Sequence, residues 1–326
     1  PSAYSGGIYD EARSGWLYPL FDLPQAQKAF KRGEWNKMRV EALGESVRVW
    51  LNGVPTADMV CQMDMSGFIA LQVHDIGTRQ ELAGRTIRWR NIKIKTDNLD
   101  EELSPAIESI PQKNYVPNTL SEREKAEGWA LLWNGVDMSG WKSNSGKDFK
   151  KGWTCADGVM TINPKSGAGD IITERKYHDF ELSIDFKFAE GANSGIKYFI
   201  GANGSVGCEY QILDDERHPD AKKGFEGNRK LGSLYDILAA PGWKYVRKGD
   251  WNTAKIVVRG VEVEHWINGV KILSYTKAGK EWDELIARSK FAKVKNFAGG
   301  DGGHILLQDH NDKVQYRNLK IRELNK

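Results

Sequence analysis

The sequence predicts an all-β protein, and three observations carry that prediction. Apolar and polar residues alternate with period two in many short runs, several of these runs end in Asn-Gly, and glycine and aromatic residues are abundant, with 34 Gly and 12 Trp in 326 residues. Alternation marks a half-buried strand, and Asn-Gly suits a tight hairpin turn because both residues tolerate positive φ. The same signals occur twice on one template. Residues 33–54 read GEWNKMRVEALGESVRVWLNGV and residues 249–270 read GDWNTAKIVVRGVEVEHWINGV. Trp35 precedes Trp50 by the interval that separates Trp251 from Trp266, and both copies close on Asn-Gly-Val. We therefore read two related modules.

Composition narrows the function classes. The chain is 40% hydrophobic and 28% charged, ordinary for a globular protein, and long enough for two domains. No apolar run reaches the roughly 18 residues of a membrane helix. With 47 basic against 44 acidic side chains and no basic cluster, there is no electrostatic case for nucleic acid. Cys61, Cys155 and Cys208 are odd in number and irregularly spaced, so they read as free thiols rather than a disulfide scaffold. Abundant Trp suits stacking on sugar rings, although most of these rings are expected in the core. The opening residues PSAYSGGIYD do not form a signal peptide, which leaves the compartment open.

In chain order, residues 1–96 read as the C-terminal half of a first module. They carry the Trp-Asn/Asn-Gly template, a run Ile69–His74 and a closing run Trp89-Arg90-Asn91-Ile92-Lys93-Ile94. Gly7-Ile8-Tyr9-Asp10 matches Ser233-Leu234-Tyr235-Asp236, yet about a hundred residues precede the latter within its own module. The front half of module one is thus expected to come from elsewhere, for example as a separate segment, because half a sandwich leaves strand edges unpaired. Residues 97–127, with Pro105, Pro111 and Pro117, read as an extended linker with a short polar helical turn and a solvated charged face. Residues 128–326 read as a complete module. Strands are expected near Gly158–Ile162, Phe180–Phe188, Gly195–Ile200, Cys208–Leu213, Lys255–Ile267 and His304–Asp309, with one helix near Lys280–Ser289. Many short strands with Gly, Asn and Asp between them imply a sandwich or barrel.

The chemistry concentrates in two runs of the second module. In Cys208-Glu209-Tyr210-Gln211-Ile212-Leu213, alternation sends Tyr210 and Ile212 to the core and displays Glu209 and Gln211 together, about 7 Å apart. Asp214 and His218 follow at the strand end. In His304–His310, Ile305 and Leu307 face inward while Gln308 and His310 share the other face, and Gln72-x-His74 repeats this pattern in module one. A wetted sheet surface would look the same. Two histidines six residues apart on a strand, about 20 Å, cannot share one ion, but a mixed Glu/Gln/His site across neighbouring strands could take a divalent metal ion. Asn193-Ser194-Gly195 reads as a turn opening onto the same sheet. His178 and His265 read as structural. There is no glycine-rich phosphate loop and no Gly-x-Ser-x-Gly elbow.

Leu131-Leu132-Trp133-Asn134-Gly135 with Ser139-Gly140-Trp141, Asn193-Ser194-Gly195-Ile196, Glu209-Tyr210-Gln211-Ile212-Leu213-Asp214, Leu234-Tyr235-Asp236, Trp251-Asn252, Asn268-Gly269, and Leu307-Gln308-Asp309-His310 with Tyr316-Arg317-Asn318 together resemble the 3-keto-disaccharide hydrolase domain family. The resemblance covers nearly all of residues 128–324, and module one looks like the back half of the same domain. It implies a concanavalin A-like jelly roll of two antiparallel sheets, a secreted, periplasmic or cell-surface setting, and glycan breakdown. The implied reaction abstracts the proton at C2 of a 3-keto sugar and expels the group at C1. On that reading Glu209 or His310 is the base, Gln308, Gln211 and Asn193 orient sugar hydroxyls, and Lys197 or a divalent ion steadies the enolate. Tyr235 lines the groove or donates a proton, with Asp214 and His218 among the substrate contacts. Module one lacks the carboxylate strand. Two rivals stand beside this reading. A laminarinase-type retaining glycosidase would carry Glu-x-Asp-x-x-Glu where this chain has Glu209-x-Gln211-x-x-Asp214. A non-catalytic carbohydrate-binding module would show aromatic platforms on its concave sheet.

Overall fold

A computed structural model describes residues 5–146, 148–201, 204–300 and 302–324. In the first part of the chain the strands are β1 (Ile8–Asp10), β2 (Gly15–Tyr18), β3 (Met38–Leu43), β4 (Ser46–Leu51), β5 (Val54–Val60) and β6 (Lys113–Asn114). The second part contributes β7 (Ala130–Leu131), β8 (Trp141–Ser143), β9 (Trp153–Ala156), β10 (Val159–Ile162), β11 (Ile171–Thr173), β12 (Phe180–Phe188) and β13 (Asn193–Ile200). It continues with β14 (Cys208–Leu213), β15 (Asn252–Arg259), β16 (Glu262–Ile267), β17 (Val270–Thr276), β18 (His304–Leu307) and β19 (Val314–Glu323). Short helices α1 (Pro24–Lys28) and α2 (Glu122–Ala126) precede the longer α3 (Gly279–Arg288).

Two antiparallel sheets build the second part. One runs β17-β16-β15-β12-β19-β10-β9, with β7 also on β19, and the other runs β14-β13-β18-β11-β8. They stack as a concanavalin A-like jelly-roll sandwich. Alternate residues of both sheets fill the space between them, including Ile196, Tyr210, Ile212, Ile305 and Leu307 from one sheet and Phe180, Leu182, Ile184 and Ile256 from the other. The remaining alternate residues of β13 and β14 point away from this core, and the candidate site lies on that face.

The template shared by the two parts has a physical reason. Asn268 Oδ1 accepts from the Thr253 amide, and its Nδ2 donates to the Tyr245 carbonyl and to Asn252 Oδ1. Asn252 in turn brackets residue 247, accepting from its amide and donating to its carbonyl. In the first part, Asn52 makes the same three bonds to Lys37, Ala29 and Asn36, and Asn36 brackets Lys31. Trp-Asn and Asn-Gly thus form a clamp that closes a loop onto a hairpin. Asn52 and Asn268 both sit at positive φ, as the turn requires. Substituting the buried Asn268 with Ala removes three hydrogen bonds and puts at positive φ a residue that tolerates it less well than asparagine. We expect a loss of about 3 kcal/mol of stability, read by chemical denaturation.

Residues 97–127 do not simply bridge solvent. Ile107 and Ile110 pack with Leu17, Tyr18, Val49 and Met59 in a small core, and Arg123 pairs with Asp58 at 3.2 Å. Asn118 and Asn318 exchange side-chain-to-backbone bonds, and Lys320 meets Glu124 at 2.8 Å, which fastens the segment to the sandwich. Ile69–His74 and Trp89–Ile94 form no strands. Their counterparts in the second part, β18 and β19, are held by β13 and β11 and by β12 and β10. No described strand of the first part takes those places, so alternation alone does not make a ladder there.

Candidate active site

Glu209, Lys197, Asn193 and Gln211 come together because β13 and β14 pair antiparallel, with Lys197 opposite Glu209 and Gly195 opposite Gln211. Gly195 makes room for the acid. A Cβ added there would meet Glu209 Oε1 at 2.1 Å, so the carboxylate lies across the glycine. The next strand is locked to the same point, since the Gln308 amide donates to the Gly195 carbonyl at 3.0 Å and Ser194 Oγ donates to the Gln308 carbonyl at 2.6 Å. Ser194 Oγ also bonds the buried Tyr316 hydroxyl at 2.7 Å, tying the site to the core beneath it.

These groups line a cavity of about 260 Å³ together with Gln308, His310 and Tyr235. Glu209 is the one carboxylate on its wall among the described residues. Glu209 and Lys197 are 5% and 9% exposed, and Lys197 Nζ stands 3.9 Å from Glu209 Oε2. Burial raises the Glu209 carboxyl above its ordinary range, and the opposing pull of Lys197 and Lys290 does not cancel this. Gln211 Nε2 donates to Asn193 Oδ1, and Gln211 Oε1 has no partner among the described residues.

Five further residues of the wall, Ser205, Val206, Gly207, Lys290 and Phe291, escaped the sequence reading. Lys290, just beyond α3, is fixed by its amide, which donates to Asp236 Oδ2 at 2.7 Å, and its ammonium lies 4.0 Å over the Tyr235 ring. Burial lowers its pKa, while Glu209 pulls the other way. Phe291 and residues 205–207 complete the wall. No short-range spacing in the sequence announces Lys290, because a loop from the far side of the sandwich brings it in. Among the described residues, no tryptophan lines this cavity. Trp133, Trp141, Trp153 and Trp282 are buried in the core, and the aromatic surface at the site is Tyr235 and Phe291.

Other expected site residues lie differently. Asp214 is not on the cavity wall. It accepts from the amides of Gly191, Glu216 and Arg217, holding the loop after β14. His218 lies beside the rim, its ring 6.0 Å from that of His310. The Tyr235 hydroxyl donates to Asp220 Oδ2 at 2.8 Å, and burial with that neighbour pushes its pKa up, so Tyr235 lines the site with its proton already committed. His265 is core. Tyr198 Oη and the Gly232 carbonyl hold its two ring nitrogens, and burial lowers its pKa to about 4.

A jelly-roll sandwich with a polar cavity on its outward sheet, walled by a carboxylate and two lysines, fits a glycoside-acting enzyme, and the known proteins it matches bear that class out. The comparisons with known proteins make the family specific. The chain matches the 3-keto-alpha-glucoside-1,2-lyase-like domain over residues 1–95 and 128–322, and it belongs to that family. A 3-keto-disaccharide hydrolase of Bacteroides thetaiotaomicron is 33% identical over 230 residues, 61% of this chain and 79% of the relative. A crystal structure of a protein provisionally named as a glycosyl hydrolase, from Parabacteroides distasonis, superposes with a TM-score of 0.58 at 33% identity. That alignment covers 64% of this chain and 100% of the other. Among the described residues, no helix is long and apolar enough to cross a membrane.

Proposed function

We propose that the second module cleaves 3-keto-glycosides by removing the C2 proton and eliminating the C1 substituent, and that it works outside the cytoplasm. The desolvated Glu209, the one carboxylate that lines the cavity among the described residues, carries this reading, with Asp170 close enough behind it to raise its pKa further. A ketone at C3 acidifies the C2 hydrogen. Glu209 takes that proton, and the C2–H electron pair becomes the C2=C3 enolate. The enolate then reforms the C3 ketone, its C2=C3 electrons become a new C1=C2 double bond, and the C1–O bond breaks with its electrons leaving on oxygen. A proton given to that oxygen completes the step, and water adding across C1=C2 turns elimination into net hydrolysis. Lys197 and Lys290 supply positive charge for the enolate oxygen beside the buried Glu209, where a low local dielectric makes such charge count most. We assign to His310, exposed at the rim of the cavity, the protonation of the departing group. Gln308, Gln211 and Asn193 orient hydroxyls, and the unpartnered Gln211 Oε1 would accept from one.

A retaining glycosidase needs two carboxyl groups about 5 Å apart. Here the middle position of the strand is Gln211, and Asp214 is engaged in its own loop, which weighs against that mechanism. For a divalent cation, His218, His310 and Asp312 offer ligand atoms within 4.8 Å of one another. His218 Nδ1 already accepts from the Asp220 amide, and Asp312 from the Asn193 amide, so this set is partly committed to loop structure. We assign the enolate charge to the lysines instead. A screen of disaccharides with and without a C3 ketone, each with and without chelator, tests both points. We expect turnover of the 3-keto substrates alone, unchanged by chelator. Equal turnover of unoxidised sugars would contradict the mechanism, and loss restored by a divalent ion would move the charge to the histidine cluster.

A further inference from the structure

In the first part of the chain, the positions that flank β12 in the sandwich have no described strand between them. In the sandwich, β12 lies between β15 and β19, and Arg317 reaches past it to sit 4.2 Å over the Trp251 ring. In the first part, Arg90 sits 3.9 Å over the Trp35 ring, the corresponding pair, yet no described strand lies between. The edge of β3 away from β4 pairs with nothing among the described strands, and neither does segment 86–95. Asn91 keeps the positive φ of Asn318. Side chains that a filled sandwich buries are open here: Ile92 and Ile94 are 68% and 71% exposed, where Leu319 and Ile321 are 0% and 4%.

The polar lining says what the strand must carry. Glu181 of β12 sits between Lys255, at 3.3 Å, and Arg322, at 2.6 Å. Asp185 accepts from Thr253 Oγ1 and Asn318 Nδ2 and lies 3.5 Å from Arg317 Nε. The corresponding positions in the first part are Arg39 and Lys95, then Lys37, Asn91 and Arg90. Arg39 and Lys95 currently meet Glu41 and Glu102 at the surface.

We propose that these positions form a slot that binds an extended polypeptide strand, antiparallel to both of its walls, with apolar residues at alternate positions and two carboxylates four residues apart on the opposite face. Main-chain bonds from the free edge of β3 supply affinity, and the Arg39/Lys95 and Lys37/Arg90/Asn91 groups set the register. The probe is a labelled peptide with the sequence Phe180–Phe188 on a Gly-Ser tail, titrated into the full chain by fluorescence anisotropy. Saturable binding is expected. It should weaken at least about tenfold for a peptide with both acids replaced by their amides, and likewise for the chain carrying Arg90→Ala and Lys95→Ala. That double variant leaves the second module's residues intact, so it separates the slot from exchange with β12. No saturable binding, or equal binding of the amide peptide, would overturn the proposal. A concentration-dependent dimer abolished by the same double variant would assign the slot to a second copy and overturn it too.

Discussion

Glu209→Gln is expected to lower kcat/KM on a 3-keto-glucoside by about 10³-fold, within the range that a positioned general base contributes. Glutamine keeps the size and one oxygen but cannot take a proton. The loss should come without a loss of fold. Burial raises the Glu209 carboxyl, so the folded state holds that proton more tightly than the unfolded chain. By linkage, stability from this group is present at low pH and lost as pH rises through the raised pKa. At neutral pH the charged form is a net cost, and the variant should melt at or above the parent temperature. The same shift places the acidic limb of kcat/KM above the ordinary carboxylate range, because only the ionised carboxyl accepts the proton. A Glu209→Gln chain of parental activity would remove Glu209 from the chemistry.

Gly195→Ala is the second large effect. The added methyl would stand 2.1 Å from Glu209 Oε1, so the carboxylate must swing away from the β13 surface. Gly195 is not in the left-handed region, so alanine meets no backbone penalty there. A displacement on the order of 1 Å costs about 10²-fold in rate. We expect that loss in kcat with circular dichroism and denaturation midpoint close to the parent. Unchanged kcat would show that the carboxylate need not rest on Gly195.

The sequence made some of this visible and hid the rest. Period-two alternation is a local property, so the face shared by Glu209 and Gln211 could be read directly; Gln308 and His310 reach the same cavity from beyond β18, which ends at Leu307 and not at Asp309. The Trp-Asn and Asn-Gly pairs were legible because one loop-to-hairpin clamp needs both asparagines at a fixed spacing. Lys290 was not legible, since its place depends on Asp236 catching its backbone amide from a distant loop. Asp214 looked chemical beside Glu209, yet its oxygens are spent on loop amides. Ile69–His74 alternates like β18 but forms no strand, because a ladder needs neighbours that alternation does not supply. The segment 97–127 read as solvated linker, and the spacing of its prolines concealed that Ile107 and Ile110 enter a core.

The central claim is that one carboxylate, Glu209, breaks a C2–H bond before the glycosidic bond parts. The most direct test is the kinetic isotope effect on cleavage of a 3-keto-glucoside deuterated at C2, with the released sugar analysed by NMR. We predict slower turnover of the deuterated substrate, loss of the C2 deuterium to solvent, and disappearance of both signatures in Glu209→Gln. Cleavage that keeps the C2 deuterium in full, at the rate of the protiated sugar, would contradict the account.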